Sequence, residues 1–135
     1  PVFFERGTVA EVSSFDFVFL ALDDGSDREG IANALEEAGV AFIDVGMGIT
    51  DTGSGLTGIL RVSLSTPEAR IHVPACGTTP DEYARNIQIS DLNAVNAALA
   101  VIQWKRHLGF YADMASDISS FAYSVSDNLI AALTR

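Results

Sequence analysis

FDFVFLALDDGSDREGIANALEEAGVAFIDVG, residues 15–46, is the stretch whose reading decides the fold. It opens on a near-continuous apolar run, Phe15 to Leu22, the pattern of a strand covered on both faces as in parallel sheets. Ser26-Asp27-Arg28-Glu29 then has capping-box spacing, in which the serine hydroxyl accepts from the Glu29 amide and the Glu29 carboxylate reaches back. A helix is expected from about Asp27 to Ala38, burying Ile31, Ala34, Leu35 and Ala38 on one stripe, with Gly39 as its left-handed stop. Val40 to Val45 is a second short apolar strand. Strand, helix and strand joined by short links make a βαβ unit, which requires parallel pairing and a right-handed crossover.

Outward from this unit the pattern changes. Leu56, Gly58, Leu60, Val62 and Leu64 alternate with Thr57, Ile59, Arg61, Ser63 and Ser65, a period of two that indicates a strand with one wetter face, paired antiparallel. Residues 66–88 are turn-rich; Thr66-Pro67 and Thr79-Pro80 each read as a cap before a helix-opening proline, with a short helix expected to about Arg85. Ser90 is expected to cap the longest helix, which ends near Leu108 with Lys105, Arg106 and His107 against its dipole and Gly109 as its stop. Ala94 to Ile102 is apolar nearly all round and calls for a sandwiched, buried helix. Phe121, Tyr123 and Val125 alternate in a last strand, beyond which Asp127-Asn128 fits either a hairpin turn or a helix start. Trp104 and the phenylalanines read as core.

Composition sets the outer limits. A chain of 135 residues with 48% hydrophobic content is one domain with enough apolar surface for a core. No run reaches the roughly 20 apolar residues of a membrane span. Acidic residues number 18 against 8 basic, for a net charge of -10, so a nucleic-acid phosphate surface would repel this chain. A single cysteine, Cys76, excludes an internal disulfide and fits a reducing, cytoplasmic setting. The opening Pro1-Val2-Phe3-Phe4 has neither Met nor a basic start, which fits a piece of a longer protein.

Asp23 and Asp24 stand at the carboxyl end of the first strand and just before a helix, the place where open α/β sheets bind ligands. Aspartates also favour turns and helix starts, so the pair reads equally as loop-shaping. With Ser26 filling the cap, Asp23 is free for a hard cation such as Mg2+, which commonly takes one or two carboxylates plus substrate phosphates. Arg28, in the first helical turn, opposes the helix dipole and calls for an anionic partner, either surface charge of the Glu36 kind or a ligand phosphate. Gly53-Ser54-Gly55-Leu56-Thr57-Gly58 matches G-x-G-x-x-G but opens a strand instead of a helix, so its glycines are assigned to a bend and close backbone approach. His72 and Cys76 lack the further ligands of a zinc site, and Cys76 reads as an inert thiol. Asn93 and Asn96 on one helix face are expected to bond to neighbouring backbone.

Taken in order, "FVFLALDDGSDREG", "AFIDVGMG", "GLTGILRV" and "ISDLNAVNAALAVIQWK" resemble the second half of a ThiF/MoeB/HesA-type domain, the adenylating fold of ubiquitin-activating enzymes. The likeness covers about Phe15 to Phe110 and is nearest to stand-alone bacterial ThiF-type proteins. It implies an α/β fold: the C-terminal portion of a Rossmann-like domain, with a parallel βαβ unit, an antiparallel strand and a long buried helix. It further implies ATP-dependent adenylation of the C-terminal carboxylate of a ubiquitin-like or sulfur-carrier protein. Asp23 matches the family's metal-associated aspartate, and Arg28 its arginine in the following helix.

The family's usual Asn is replaced by Asp24, which adds charge beside the nucleotide and metal. No paired C-x-x-C is present, so no zinc is expected, and Cys76 has no secure counterpart. The glycine-rich ATP cradle of the family would precede residue 1, so the piece alone is expected to be inactive while its parent is an enzyme. Without its strand neighbours, Phe15 to Leu22 would be an apolar edge, and association with another copy, as a homodimer, or with the missing half is expected there or at the long helix. The competing expectation is a non-catalytic ThiF-like module that dimerises or binds protein.

Overall fold

The computed structural model describes residues 11, 14–22, 25–70, 87, 89–112 and 118–133. In chain order the elements are β1 (Phe17–Leu20), α1 (Gly25–Glu37), β2 (Ala41–Asp51), β3 (Leu56–Ser65), α2 (Ser90–His107), β4 (Ser120–Ser124) and β5 (Leu129–Ala132). They form a mixed α/β fold in which one sheet runs β1-β2-β3-β4-β5. β1 and β2 pair in parallel, from Phe17↔Ala41 to Leu20↔Asp44, as the βαβ reading requires. Every later pairing is antiparallel.

Alternation along β2 sends its side chains to two separate cores. Phe42 joins Leu20, Val40 and the α1 residues Ala32 and Leu35, with Val18 and Ile31 packed at the margin. Ile43 joins Val62, Leu64 and Ala100 of α2, with Phe17, Val45, Leu99, Trp104 and Phe121 around them. The helices therefore cover opposite faces of the sheet. Burying a side chain of the size of Phe42 or Leu35 contributes about 1.5–3 kcal/mol, and both are wholly buried.

Several expectations shift. α1 starts at Gly25 and ends at Glu37, and its stripe takes in Ala32 in place of Ala38, which is exposed beyond the helix end. The Ser26 side chain of the expected capping box lies outside the described set. β2 is eleven residues long, well past Val45. Past Asp44 it no longer neighbours β1 and pairs only with β3, so the continuous apolar run gives way to Gly46 and Gly48 alternating with Met47 and Ile49. The hairpin closes through Gly53 and Gly55, with φ of 81° and 156°. The Thr52 amide donates to the Gly55 carbonyl at 3.0 Å, and the Gly53 amide to Asp51 Oδ1 at 2.8 Å. A Cβ on Gly58 would meet Ile49 Cδ1 at 2.3 Å, so the glycine-rich motif serves a bend and a close approach.

Thr66-Pro67 opens no helix; Thr66 and Ala69 exchange backbone bonds of 3.1 Å in a tight turn. Ser90 is the first helical residue of α2 and not its cap, which is the extended Ile89 with no side-chain bond. α2 is not sandwiched: Asn96, Ala100 and Gln103 are buried, while Val95, Val101 and Ile102 face outward. Trp104 is half-buried against Phe17 and Phe19, but Phe15, Phe19 and Phe110 are exposed and not core. Residues 125–128 form a hairpin turn, settled by Asn128 at φ 50°, whose Oδ1 accepts from the Tyr123 hydroxyl at 2.9 Å. β1 forms one edge of the described sheet, as expected of an apolar strand lacking a neighbour. The helix expected near Thr79–Arg85, with His72 and Cys76, lies outside the described residues. Among the described residues no helix is long and apolar enough to cross a membrane.

Candidate functional site

The carboxyl end of the β1–β2 pair is where the fold gathers charge. Asp23 and Asp24 lie outside the described residues, between β1 and α1. Arg28 is on the first turn of α1, at the head of the same stripe as Ala32 and Leu35, and so is carried inward at 6% exposure. Its target is Asp44, the β2 residue paired with the last residue of β1 and itself 1% exposed. Arg28 Nε donates to Oδ1 and Nη2 to Oδ2, both at 2.5 Å, a side-on bidentate pair. The Nη2 group also reaches the Val45 carbonyl at 3.3 Å. The anionic partner of Arg28 in this structure is thus Asp44. Glu36 is engaged elsewhere, accepting from the Ser65 hydroxyl at 3.0 Å.

A second guanidinium arrives from β3. Arg61 sits opposite Gly46, two positions past the end of β1, and donates through Nη2 to Asp44 Oδ2 at 3.1 Å. Gly46 makes room for both arginines: a Cβ there would stand 3.0 Å from Arg28 Nη2 and 3.2 Å from Arg61 Nη2. Asn96 of α2 reaches the same residue, donating through Nδ2 to the Gly46 carbonyl at 3.0 Å, as the backbone-bonding expectation has it.

Counted over the described residues, which leave out Asp23 and Asp24, the charge does not balance. Two arginines share one carboxylate, and the N-terminal end of α1 adds positive potential to the surplus. Arg61 Nε and Asn96 Oδ1 are both buried without a hydrogen-bond partner among the described residues. Among the described residues no three His, Cys, Asp or Glu side chains come together as a metal-holding group. A Glu68 carboxyl held below the ordinary range by its own backbone amide, and next by the Thr66 hydroxyl, belongs to the exposed turn after β3 and not to this cluster.

Of the expected site residues Arg28 alone is among the described residues, and it lies in the cluster; Asp44 and Arg61 join it unannounced. The signal for Asp44 was present in "AFIDVG": a carboxylate inside an apolar strand is rarely fully buried unless paired. Arg61 in "GILRV" gives a weaker signal of the same kind, being only partly buried. No protein-family model matches the chain, and no curated protein matches it.

Proposed function

We propose that this chain is the C-terminal half of a ThiF/MoeB/HesA-type adenylating domain, a Rossmann-like portion that follows the glycine-rich ATP cradle. The parent protein would activate the C-terminal carboxylate of a ubiquitin-like or sulfur-carrier protein by ATP-dependent adenylation, acting as a homodimer. One observation carries this reading. Three of the four stretches that resemble the family, far apart in sequence, meet in one charge cluster: Arg28 from the first, Asp44 and Gly46 from the second and Arg61 from the third. Asn96 of the fourth bonds the Gly46 carbonyl from the opposite face of the sheet.

The surplus positive charge and the orphaned Arg61 Nε suit a phosphate-bearing ligand at the carboxyl end of a parallel pair. In this reading Asp23 and Asp24 flank the nucleotide and Asp23 holds Mg2+ through it. The ion would neutralise charge on the phosphoryl oxygens during attack. Arg28, committed to Asp44, positions the strand ends by which the nucleotide lies.

ATP–pyrophosphate exchange on the full-length protein, supplied with candidate carrier proteins, tests the reading. Asp23→Ala is expected to lower exchange by about 100-fold. Wild-type exchange in the variant would remove Asp23 from the reaction. A second reading, a non-catalytic ThiF-like module that dimerises or binds protein, is favoured by the exposed Val95, Val101 and Ile102 on α2. Absence of exchange with every carrier, alongside concentration-dependent association, would select it.

A further inference from the structure

We propose that Arg61 is an oxyanion-recognising residue and that the pocket of charge above Gly46 takes a phosphoryl group. The two guanidiniums at this place differ in how they are bound. Arg28 is almost wholly buried and spends its Nε and Nη2 on both oxygens of Asp44 at 2.5 Å. That pairing alone neutralises the carboxylate. Arg61 makes one longer bond, 3.1 Å to Oδ2, and its side chain keeps 26% of its surface open to solvent. Its Nε is buried and has no hydrogen-bond partner among the described residues.

A buried, unpaired N–H on a cation is costly to maintain and calls for an explanation, an unseen ion among them. Asp44 cannot supply it, since among the described residues its one negative charge already faces two positive ones. The surplus therefore selects an anion. A phosphoryl group is preferred over a carboxylate on two counts. The first turn of α1 stands beside the cluster at the carboxyl end of the parallel strands, where phosphates meet helix N-termini. The guanidinium fork fits either anion, but a phosphoryl group offers it more negative charge and more acceptor oxygens than a carboxylate. Gly46 belongs to the site, because a Cβ there would crowd the ends of both guanidiniums and shift them by a few tenths of an ångström.

This assignment does not depend on adenylation. The test is calorimetry and thermal melting of the full chain with inorganic pyrophosphate, ATP and acetate, on wild type, Arg61→Gln and Arg61→Lys. Pyrophosphate should bind wild type and raise its melting temperature, whereas acetate at equal concentration should not. Both variants should bind pyrophosphate at least about tenfold more weakly. Unliganded Arg61→Gln should melt no lower than wild type, since a surplus buried charge has gone. Competition by ATP would identify a nucleotide as the source of the phosphoryl group; pyrophosphate binding without it would identify a free phosphate. Equal pyrophosphate affinity in wild type and variants, or no binding to wild type, overturns the proposal. So does an Arg61→Gln variant that is less stable yet binds unchanged, for then Arg61 is only a second counter-ion to Asp44. Arg61-dependent binding in a protein that shows no exchange would defeat the adenylation reading and leave this site standing.

Discussion

Helix α1 turns Ala32 and Leu35 inward behind Arg28, while α2, on the other face of the same sheet, turns Asn96 and Gln103 inward and leaves Val95, Val101 and Ile102 outside. For α1 the hydrophobic effect and the charge pair act together, because the apolar stripe and the arginine share one side. For α2 they do not. A helix apolar on nearly every side gains little from one rotation over another, so small directed terms decide how it lies. Asn96 Nδ2 donates to the Gly46 carbonyl at 3.0 Å, and Gln103 Nε2 to the Ile118 carbonyl at 3.4 Å. With apolar residues available on every side, polar bonds to neighbouring backbone fix the orientation of α2.

The sharpest way to break the comparison is at its charged end. Asp44→Ala removes the one carboxylate among the described residues that faces both arginines and takes away the buried Arg28's ion-pair partner. A loss of about 3–5 kcal/mol is expected, read as a lower urea midpoint at unchanged slope. If Asp44→Ala were as stable as wild type, the pair would not anchor α1, and apolar packing alone would hold it. On the opposite helix the comparable change is smaller. Asn96→Ala removes one bond to the Gly46 carbonyl but also an orphaned Oδ1, so a net loss of about 1 kcal/mol is expected. A loss as large as that of Asp44→Ala would mean that α2, too, is held by a charge-scale interaction.

The same contrast explains what could be read from the sequence. The βαβ unit was legible because Phe15 to Leu22 and Val40 to Val45 are apolar runs set either side of a helical stripe closed by Gly39. The antiparallel β3 was legible from its period of two. The inner face of α2 was not, since Ala94 to Ile102 offers no stripe from which to choose. The length of β2 was hidden by Gly46 and Gly48, which weaken a strand signal, although Gly46 here makes room for the arginines. Of the site, Arg28's need for an anion was visible from its place against the helix dipole. Which anion was not, because Asp44 is sixteen residues away and meets it only after the crossover folds back. Arg61 and Asn96 come from still later elements, and only register and packing place them at Gly46.

The smallest effect is expected on the outer face of α2, and it separates a helix that is complete in the monomer from one that awaits a partner. Val101 stands outward with Val95 and Ile102, near the exposed Leu108 and Phe110 that follow the helix. Introducing a charge by Val101→Glu removes no contact with the sheet and should change monomer stability by no more than about 0.5 kcal/mol. If this face is covered in solution by a second copy, the same charge is desolvated on association, and the dimer seen by sedimentation should dissociate at concentrations where wild type remains paired. A destabilisation above about 1 kcal/mol in dilute, monomeric protein would instead show that Val101 packs within its own chain. In that event the outer face of α2 would pack within the chain as its inner face does through Ala100, and the contrast between the helices would vanish.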